Sequence, residues 1–313
     1  MNSVNQTMVN YFIIKGISNV PEFQAPIFLL VLLIYLTTLG GNTTILLLVF
    51  MDTQLHTPMY FFLVNLSLID IFSTTVTLHK VLTSFITQNK TISFMGCLTQ
   101  LYFFASLTGN ELLILTAMSY DRYVAICKPL HYHLLMNRRV CGLLATFCWT
   151  WGFIEVIPHV VIISDFTCYL SNEIDHFVCD FVPLQKLICN DTFIFDIAVF
   201  LVAIFLAVFP SLLTFIPYIF IIACILRIPS KSGRRKAFYT CSSHLTVVII
   251  LYCTLIFQYL RPVSEGSLEF NKLFSLFNTA TVPMLNPMIY SLKNSDVKSA
   301  LRRRLKSCKV TAF

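Results

Sequence analysis

Charged side chains are scarce in this 313-residue sequence. Asp, Glu, Lys and Arg make up 12% of it, about half the share of an average globular protein, whereas hydrophobic residues make up 57%. A soluble fold of this size could not bury that much Leu, Ile, Val and Phe, so lipid must cover much of the surface. The scarcity of charge therefore predicts an integral membrane protein.

Sequence signals of other protein classes are also missing. No GxSxG, HExxH or phosphate-binding loop is present, so we do not expect an enzyme. No cluster of Cys or His has the spacing of metal ligands, and His131 and His133 stand alone in a basic loop. We therefore expect no metal site. Residues 1–24 lack the pattern of a cleavable signal peptide, so we expect the first hydrophobic helix to direct insertion.

Seven segments are apolar and long enough to cross a bilayer, which requires about 20 residues in a helix. Four contain no Asp, Glu, Lys or Arg, and the other three contain one acid each: Asp70, Glu111 and Glu155. The predicted fold class is an all-α membrane protein, a seven-transmembrane helix bundle. The predicted spans are residues 26–50, 58–78, 97–120, 140–164, 197–226, 237–260 and 273–292.

The positions of Lys and Arg predict the orientation of this bundle. The net charge is +7, and the basic residues concentrate in two loops on one side and in the tail. Such loops face the anionic cytoplasmic leaflet, which also argues against a nucleic-acid partner. We expect a multi-pass plasma-membrane protein forming one domain over residues 1–313, with residues 1–25 extracellular, the bundle over 26–292 and residues 293–313 cytoplasmic. Residues 295–306 suit a short amphipathic helix on membrane lipid.

Four cysteines fall on the predicted extracellular side: Cys97, Cys168, Cys179 and Cys189. An even number in an oxidising compartment favours two disulfides, with three connectivities open. Asn5 begins an Asn-Gln-Thr glycosylation acceptor on the same side, so we expect a glycoprotein.

Four polar residues lie at mid-depth of four different predicted helices: Asn42, Asp70, Glu111 and Asn286. An ionisable group in hydrocarbon is costly, so it normally faces the bundle and finds a partner. Together the four could hold a sodium ion or water, or form a static hydrogen-bond network. Intramembrane acids could also serve a channel or transporter, although an odd helix number without repeat symmetry argues against it.

Two short motifs stand at helix ends. Residues 118–123 read MSYDRY at the inner end of the third helix, where Asp121 and Arg122 can pair or separate. Residues 286–290 read NPMIY near the end of the seventh, where a proline permits a kink beside polar groups. Both motifs lie on the predicted cytoplasmic side.

With these motifs the sequence resembles a rhodopsin-like (class A) G-protein-coupled receptor, and specifically an olfactory (odorant) receptor. A retinal-binding opsin would need a Lys in the seventh helix, and residues 273–292 contain none. The sequence departs from the family pattern at His79, where Pro is usual, and at Tyr239, where Ser is usual. The most specific matching segments are residues 55–63 (LHTPMYFFL), 118–132 (MSYDRYVAICKPLHY), 236–244 (KAFYTCSSH) and 283–292 (PMLNPMIYSL).

The resemblance implies that an odorant enters from outside and that a heterotrimeric G protein of the stimulatory olfactory type raises cyclic AMP. It implies the disulfides Cys97–Cys179 and Cys168–Cys189. Arg122 would be the principal G-protein contact, with Asp121 its resting partner. The other residues that the resemblance places at this cytoplasmic cleft are Tyr123, Tyr218, His244 and Tyr290.

An odorant site should be a small, mostly apolar cavity with one or two polar groups that fix orientation. Matching helix positions to the family places candidate contacts on four helices. Since no charged side chain stands among them, we predict a neutral volatile ligand, hydrogen-bonded by Thr108, Tyr252 or Tyr259. The candidates are Phe104, Ala105, Thr108, Gly109, Val202, Ala203, Leu206, Tyr252, Leu255, Ile256, Tyr259, Leu276 and Thr279.

Overall fold

A computed structural model describes most of the chain. Of the predicted site residues, Asn5, Val202, Ala203 and Leu206 lie outside the described residues. Side chains are described except at 236, 240, 243, 267–269, 291–293, 295 and 305–311. The described residues are 9–18, 20–189, 193, 197, 198, 201, 204, 208–259, 267–293 and 295–311.

Within those residues, six helical spans are long and apolar enough to cross a membrane. Their termini follow ordinary capping rules. Three begin with a proline in the first turn, where its missing N–H costs nothing, and two begin after a side-chain cap. The six helices are α1 (Pro21–Met51), α2 (Pro58–Thr87), α3 (Phe94–Cys127), α4 (Arg138–Ile154), α5 (Phe209–Leu226) and α6 (Lys231–Tyr259).

The fourth span was expected over residues 140–164, and in the structure it extends over Arg138–Ser164, with one interruption. Helix α4 ends at Ile154, and a short helix, Ile157–Ser164, completes the span. Pro158 lies at the start of that second helix. Because proline has no N–H and its ring clashes with the carbonyl four residues before it, the helix breaks there.

The seventh span consists of three helical pieces: α7 (Ser267–Leu276), a π-helical turn (Phe277–Thr281) and α8 (Val282–Lys293). It therefore begins earlier than the expected residue 273. Pro283 lies two residues after the end of the π turn, and because it has no N–H it cannot donate the regular helical hydrogen bond to the Thr279 carbonyl. The amphipathic helix after it is α9 (Ser295–Thr311), longer than the expected 295–306.

A small sheet, not expected from the sequence, lies at one end of the bundle. Strand β1 (Tyr11–Ile14) pairs antiparallel with β2 (Thr91–Ser93) and parallel with β3 (Glu173–Ile174). Phe12 of β1 is fully buried, with its ring 6.0 Å from Phe94 and 5.4 Å from Tyr169. The N-terminal segment is therefore packed onto two loops of the bundle.

Helix α3 is central and packs against α2, α4, α5 and α6. Cys97 in its first turn and Arg122 near its last turn are separated by about 38 Å along the axis, at 1.5 Å per residue. We call the end with the sheet and Cys97 the disulfide end, and the opposite end the Arg122 end.

Candidate functional site

At the Arg122 end, an ion pair and a tyrosine hold one another in place. Arg122 donates from Nε to Asp121 Oδ2 at 3.0 Å, and its Nη2 contacts the same oxygen. Tyr132, on the short helix Tyr132–Leu135, donates to Asp121 Oδ1 at 2.8 Å. Asp121 is fully buried, and both of its carboxylate oxygens have a partner. The arrangement keeps the guanidinium paired as long as Tyr132 stays in place.

Three more of the predicted cleft residues lie together beside this pair, on three helices. Tyr218 of α5 hydrogen-bonds His244 Nδ1 of α6, and their rings stack at 5.8 Å. The His244 ring lies 6.5 Å from that of Tyr290 on α8. Within the described part of the chain, His244 Nε2 and the Tyr290 hydroxyl have no hydrogen-bond partner. These polar atoms are thus available for a further hydrogen bond.

The mid-bundle polar residues form one cluster. Asn286 Nδ2 of α8 donates to both carboxylate oxygens of Asp70 on α2 at 3.1 Å and lies 3.5 Å from Glu111 Oε1 on α3. Asn42 Nδ2 of α1 donates to the carbonyl of Pro283 at 3.2 Å, one turn before Asn286. This accounts for the burial of two acids in the bundle.

A sodium ion in this cluster stays a prediction. Asn42 Oδ1 and Asn286 Oδ1 have no hydrogen-bond partner among the described residues, and oxygen ligands suit a hard cation. The described residues contain no group of three or more His, Cys, Asp or Glu suited to a metal ion.

At the disulfide end, the structure pairs Cys97 with Cys179 and Cys168 with Cys189, as the resemblance implies. The first bond anchors the loop after the fourth span to the start of α3. It also places the next residue, Asp180, in the interior, fully buried. Disulfide geometry therefore carries a carboxyl group to the mouth of the bundle.

Asp180 joins the loop to α6. Its Oδ1 accepts hydrogen bonds from the Tyr259 hydroxyl at 3.0 Å and from the Phe181 N–H at 2.7 Å, and its Oδ2 accepts one from Gln258 Nε2 at 2.9 Å. Burial raises the pKa of Asp180, and these hydrogen bonds partly offset that rise. Since both carboxyl oxygens already accept hydrogen bonds, Asp180 fixes the positions of Tyr259 and Gln258 and has little remaining capacity to accept a hydrogen bond from another group.

The same network reaches the seventh span. Asn278 of the π turn donates to Gln258 Oε1 at 2.6 Å and accepts from the Thr254 hydroxyl, while Asn271 donates to the Gln258 carbonyl at 3.0 Å. Sequence reasoning missed Asp180, Gln258 and Asn278. A signal for Asp180 was available, because it directly follows Cys179, and the implied Cys97–Cys179 disulfide places that residue at the start of α3.

Comparison with known proteins adds to this geometry. The sequence model of a family described as "Olfactory receptor" matches residues 31–308. The chain belongs to the olfactory receptor family. Among its relatives are human olfactory receptor 6C3, 46% identical over 299 residues and 96% of both chains, and mouse olfactory receptor 5G9, 46% identical over 310 residues and 99% of both chains. Mouse olfactory receptor 8U3 is 45% identical over 305 residues, which cover 97% of this chain and 96% of that one.

Membership makes this chain an odorant receptor of the G-protein-coupled class and not an enzyme. The family and the spanning helices make it a multi-pass protein of the plasma membrane. A channel or transporter, the alternative left open by the intramembrane acids, is not favoured.

The receptor's predicted ligand contacts differ in burial. Ile256 is 43% exposed. Ala105, Thr108, Tyr259 and Leu276 are half-buried. The candidates that are buried are Phe104, Gly109, Tyr252, Leu255 and Thr279.

The three hydroxyls predicted to bind the ligand already have partners within the receptor. Thr108 donates to the Phe104 carbonyl at 3.0 Å, and Tyr252 lies 3.4 Å from the Thr214 hydroxyl. Tyr259 donates to Asp180. Their oxygens can still accept a hydrogen bond, but each proton is already engaged or shared.

The stability of the disulfide-end loop should depend on pH through His176. This ring is fully buried, stacks on Phe177 at 4.7 Å, and its Nδ1 accepts from the Val178 N–H at 3.2 Å. Burial lowers the pKa of His176 to about 3, from 6.5. The folded loop therefore excludes a proton that the unfolded loop binds below pH 6.5, so stability is full above pH 6.5 and falls as the pH drops towards 3.

Between pH 6.5 and 5 this loss amounts to about 2 kcal/mol. Hydrogen exchange of residues 173–189 in the purified receptor should accelerate accordingly at pH 5. His176→Gln should reduce that pH dependence, whereas His133→Gln, at an exposed ring, should leave it unchanged. Equal exchange at both pH values in the unmodified receptor would contradict the assignment.

Proposed function

We propose that this receptor binds a small neutral odorant between α3, α5, α6 and the seventh span, near the disulfide end. Binding would activate a stimulatory olfactory-type G protein at the Arg122 end and raise cyclic AMP. In this proposal the disulfide end faces the extracellular side and the tail lies in the cytosol, in line with the basic residues near the tail and in the loops at the Arg122 end. Asp180 is compatible with a neutral ligand because donors of this chain already hydrogen-bond both of its carboxyl oxygens.

The Asp121–Arg122 pair is the observation that carries the proposal. A buried ion pair at the end of a central helix is held closed by Tyr132, and opening it frees a cation for a partner's backbone carbonyls or carboxylates. A ligand that prefers the open arrangement shifts the population towards it.

Helix α6 connects the two ends. Near the disulfide end it carries Gln258 and Tyr259, bonded to Asp180, and towards the Arg122 end it carries His244, bonded to Tyr218. A ligand that alters the first set of bonds displaces a rigid helix whose other end contacts α5. Outward movement of α6 would break the His244–Tyr218 contact and open the cleft beside Arg122.

The test is an odorant panel applied to cells that express the receptor with the olfactory G protein, with cyclic AMP as readout. At least one neutral volatile compound should raise cyclic AMP in a dose-dependent manner. Cells with the receptor but without the G protein serve as the control and should stay silent. Odorant-evoked current in the control cells would contradict the proposal and support a channel.

A further inference from the structure

A cavity of about 650 Å³ lies at the Arg122 end, apart from the proposed odorant site. Its size is within the range of small-molecule sites. Residues near the starts of α2 and α4 line it, and farther along these helices Trp149 Nε1 donates a hydrogen bond to Asn65 Oδ1 at 2.9 Å. The end of α1 and the helix Tyr132–Leu135 complete its wall. Its inner lining includes Val49, Leu55, Val64, Met136 and Cys141.

Most of this inner lining is buried and apolar, whereas the mouth is basic. Arg138, His56 and His133 line the cavity, and all three are exposed. The described residues that line it include no Asp or Glu. Within the described residues, Arg138 forms no ion pair, so its charge is available to an anion at the mouth.

An apolar interior with an unpaired cation at its entrance matches an amphiphile that carries an apolar chain and an anionic head. Basic pockets between helices on the cytoplasmic side bind anionic lipid headgroups, and that leaflet is rich in them. We propose that an anionic phospholipid binds in this cavity, with an acyl chain against Val64 and Cys141 and its phosphate on Arg138. The inference rests on the orientation given in the proposed function.

Tyr132 links this site to the ion pair. Its side chain lines the cavity, and its hydroxyl donates to Asp121 Oδ1 at 2.8 Å. A lipid packed against Tyr132 restricts the side chain that keeps Asp121 in place. Since Asp121 holds Arg122, occupancy of the cavity stabilises the closed pair, and by linkage the closed pair favours the lipid.

Lipid retention by the purified full-length receptor, measured by native mass spectrometry, tests the site. Phosphatidylserine should be retained at least about fivefold more than phosphatidylcholine, a preference worth about 1 kcal/mol. Arg138→Gln should abolish this preference. Arg139→Gln is the matched control, because the neighbouring arginine is equally exposed but does not line the cavity, and it should keep the preference.

Two further experiments test whether the acyl chain, as well as the phosphate, binds in the cavity. Cys141→Phe, whose larger side chain fills part of the cavity, should reduce retention of both lipids. Glycerophosphate should not compete with phosphatidylserine. Equal loss in Arg138→Gln and Arg139→Gln, full retention in Cys141→Phe, or competition by glycerophosphate would each overturn the proposal. Because no odorant or G protein is involved, failure here is distinguishable from failure of the proposed function.

Discussion

Replacing Arg122 with Ala should abolish the cyclic AMP response to odorant while the receptor still reaches the cell surface. The guanidinium is the cation that the proposed mechanism releases to the G protein, and Ala cannot replace it. Asp121 would keep its hydrogen bond from Tyr132, which limits the cost of leaving a buried carboxylate without its ion-pair partner. Cyclic AMP and surface staining, measured in the same cells, check this expectation.

The neighbouring substitution Asp121→Asn should act in the opposite direction. It keeps the size of the side chain but removes the negative charge that holds Arg122, a hydrogen-bonded contact worth about 1.5–3 kcal/mol. The equilibrium should then shift towards the open state by roughly tenfold or more, and cyclic AMP should rise without odorant. Simple misfolding would lower signalling in both variants, so a rise in one and a loss in the other identifies a switch.

Normal odorant responses in Arg122→Ala would refute the role of Arg122.

Gly152→Ala should severely destabilise the receptor. A Cβ atom at Gly152 would overlap Asn110 Oδ1 and would lie 3.0 Å from the Asn110 backbone nitrogen, so α3 and α4 would have to separate. Small residues allow such close helix contacts in membranes. Overpacking of this kind costs about 1–3 kcal/mol or more. Thermal unfolding of purified receptor and surface expression should both fall.

Gly142→Ala is the matched control. Gly142 lies on the same helix, and no atom is within 4 Å of a Cβ built there. Since Ala is favoured over Gly in a helix by up to about 1 kcal/mol, this variant should be neutral or slightly more stable. The double variant Asn110→Ala with Gly152→Ala should recover part of the loss, because it removes the clashing side chain. Equal stability of the Gly142 and Gly152 variants would contradict the steric explanation.

Sequence reasoning was strongest where the physical constraint is local. Lipid requires long uncharged helices with internally bonded backbones, so the spans could be placed from composition alone. The predicted starts of α2 and α4 lie within two residues of those observed, whereas α2 continues to Thr87, beyond its predicted end at residue 78. Acids within the spans were expected to find partners, and Asp70 and Glu111 do so through Asn286. The third acid differs, because Glu155 Oε1 has no hydrogen-bond partner among the described residues. Asp121 and Arg122 are adjacent in the chain, so the sequence showed that they could pair, and the structure shows the pair formed.

Other features depend on residues far apart in the chain. Strands β1 and β3 are too short to have a sequence pattern, and they exist because β1 packs against loops about 80 and 160 residues away. Asp180 meets Tyr259 because the Cys97–Cys179 bond turns the loop inward, and only one of three connectivities does this. Helix propensity, hydrophobicity and capping patterns carry no information about such contacts between distant residues.

The amino-acid sequence by itself thus determined a membrane-spanning helical bundle, its family and the chemistry available at each helix end. The tertiary structure alone decided that Tyr132 joins a basic-mouthed cavity to Asp121, that Asp180 occupies the mouth of the bundle, and that Gly152 permits contact with Asn110. The reason is that hydrophobicity and helix length act residue by residue along the chain. Contacts between distant side chains depend on how whole helices pack.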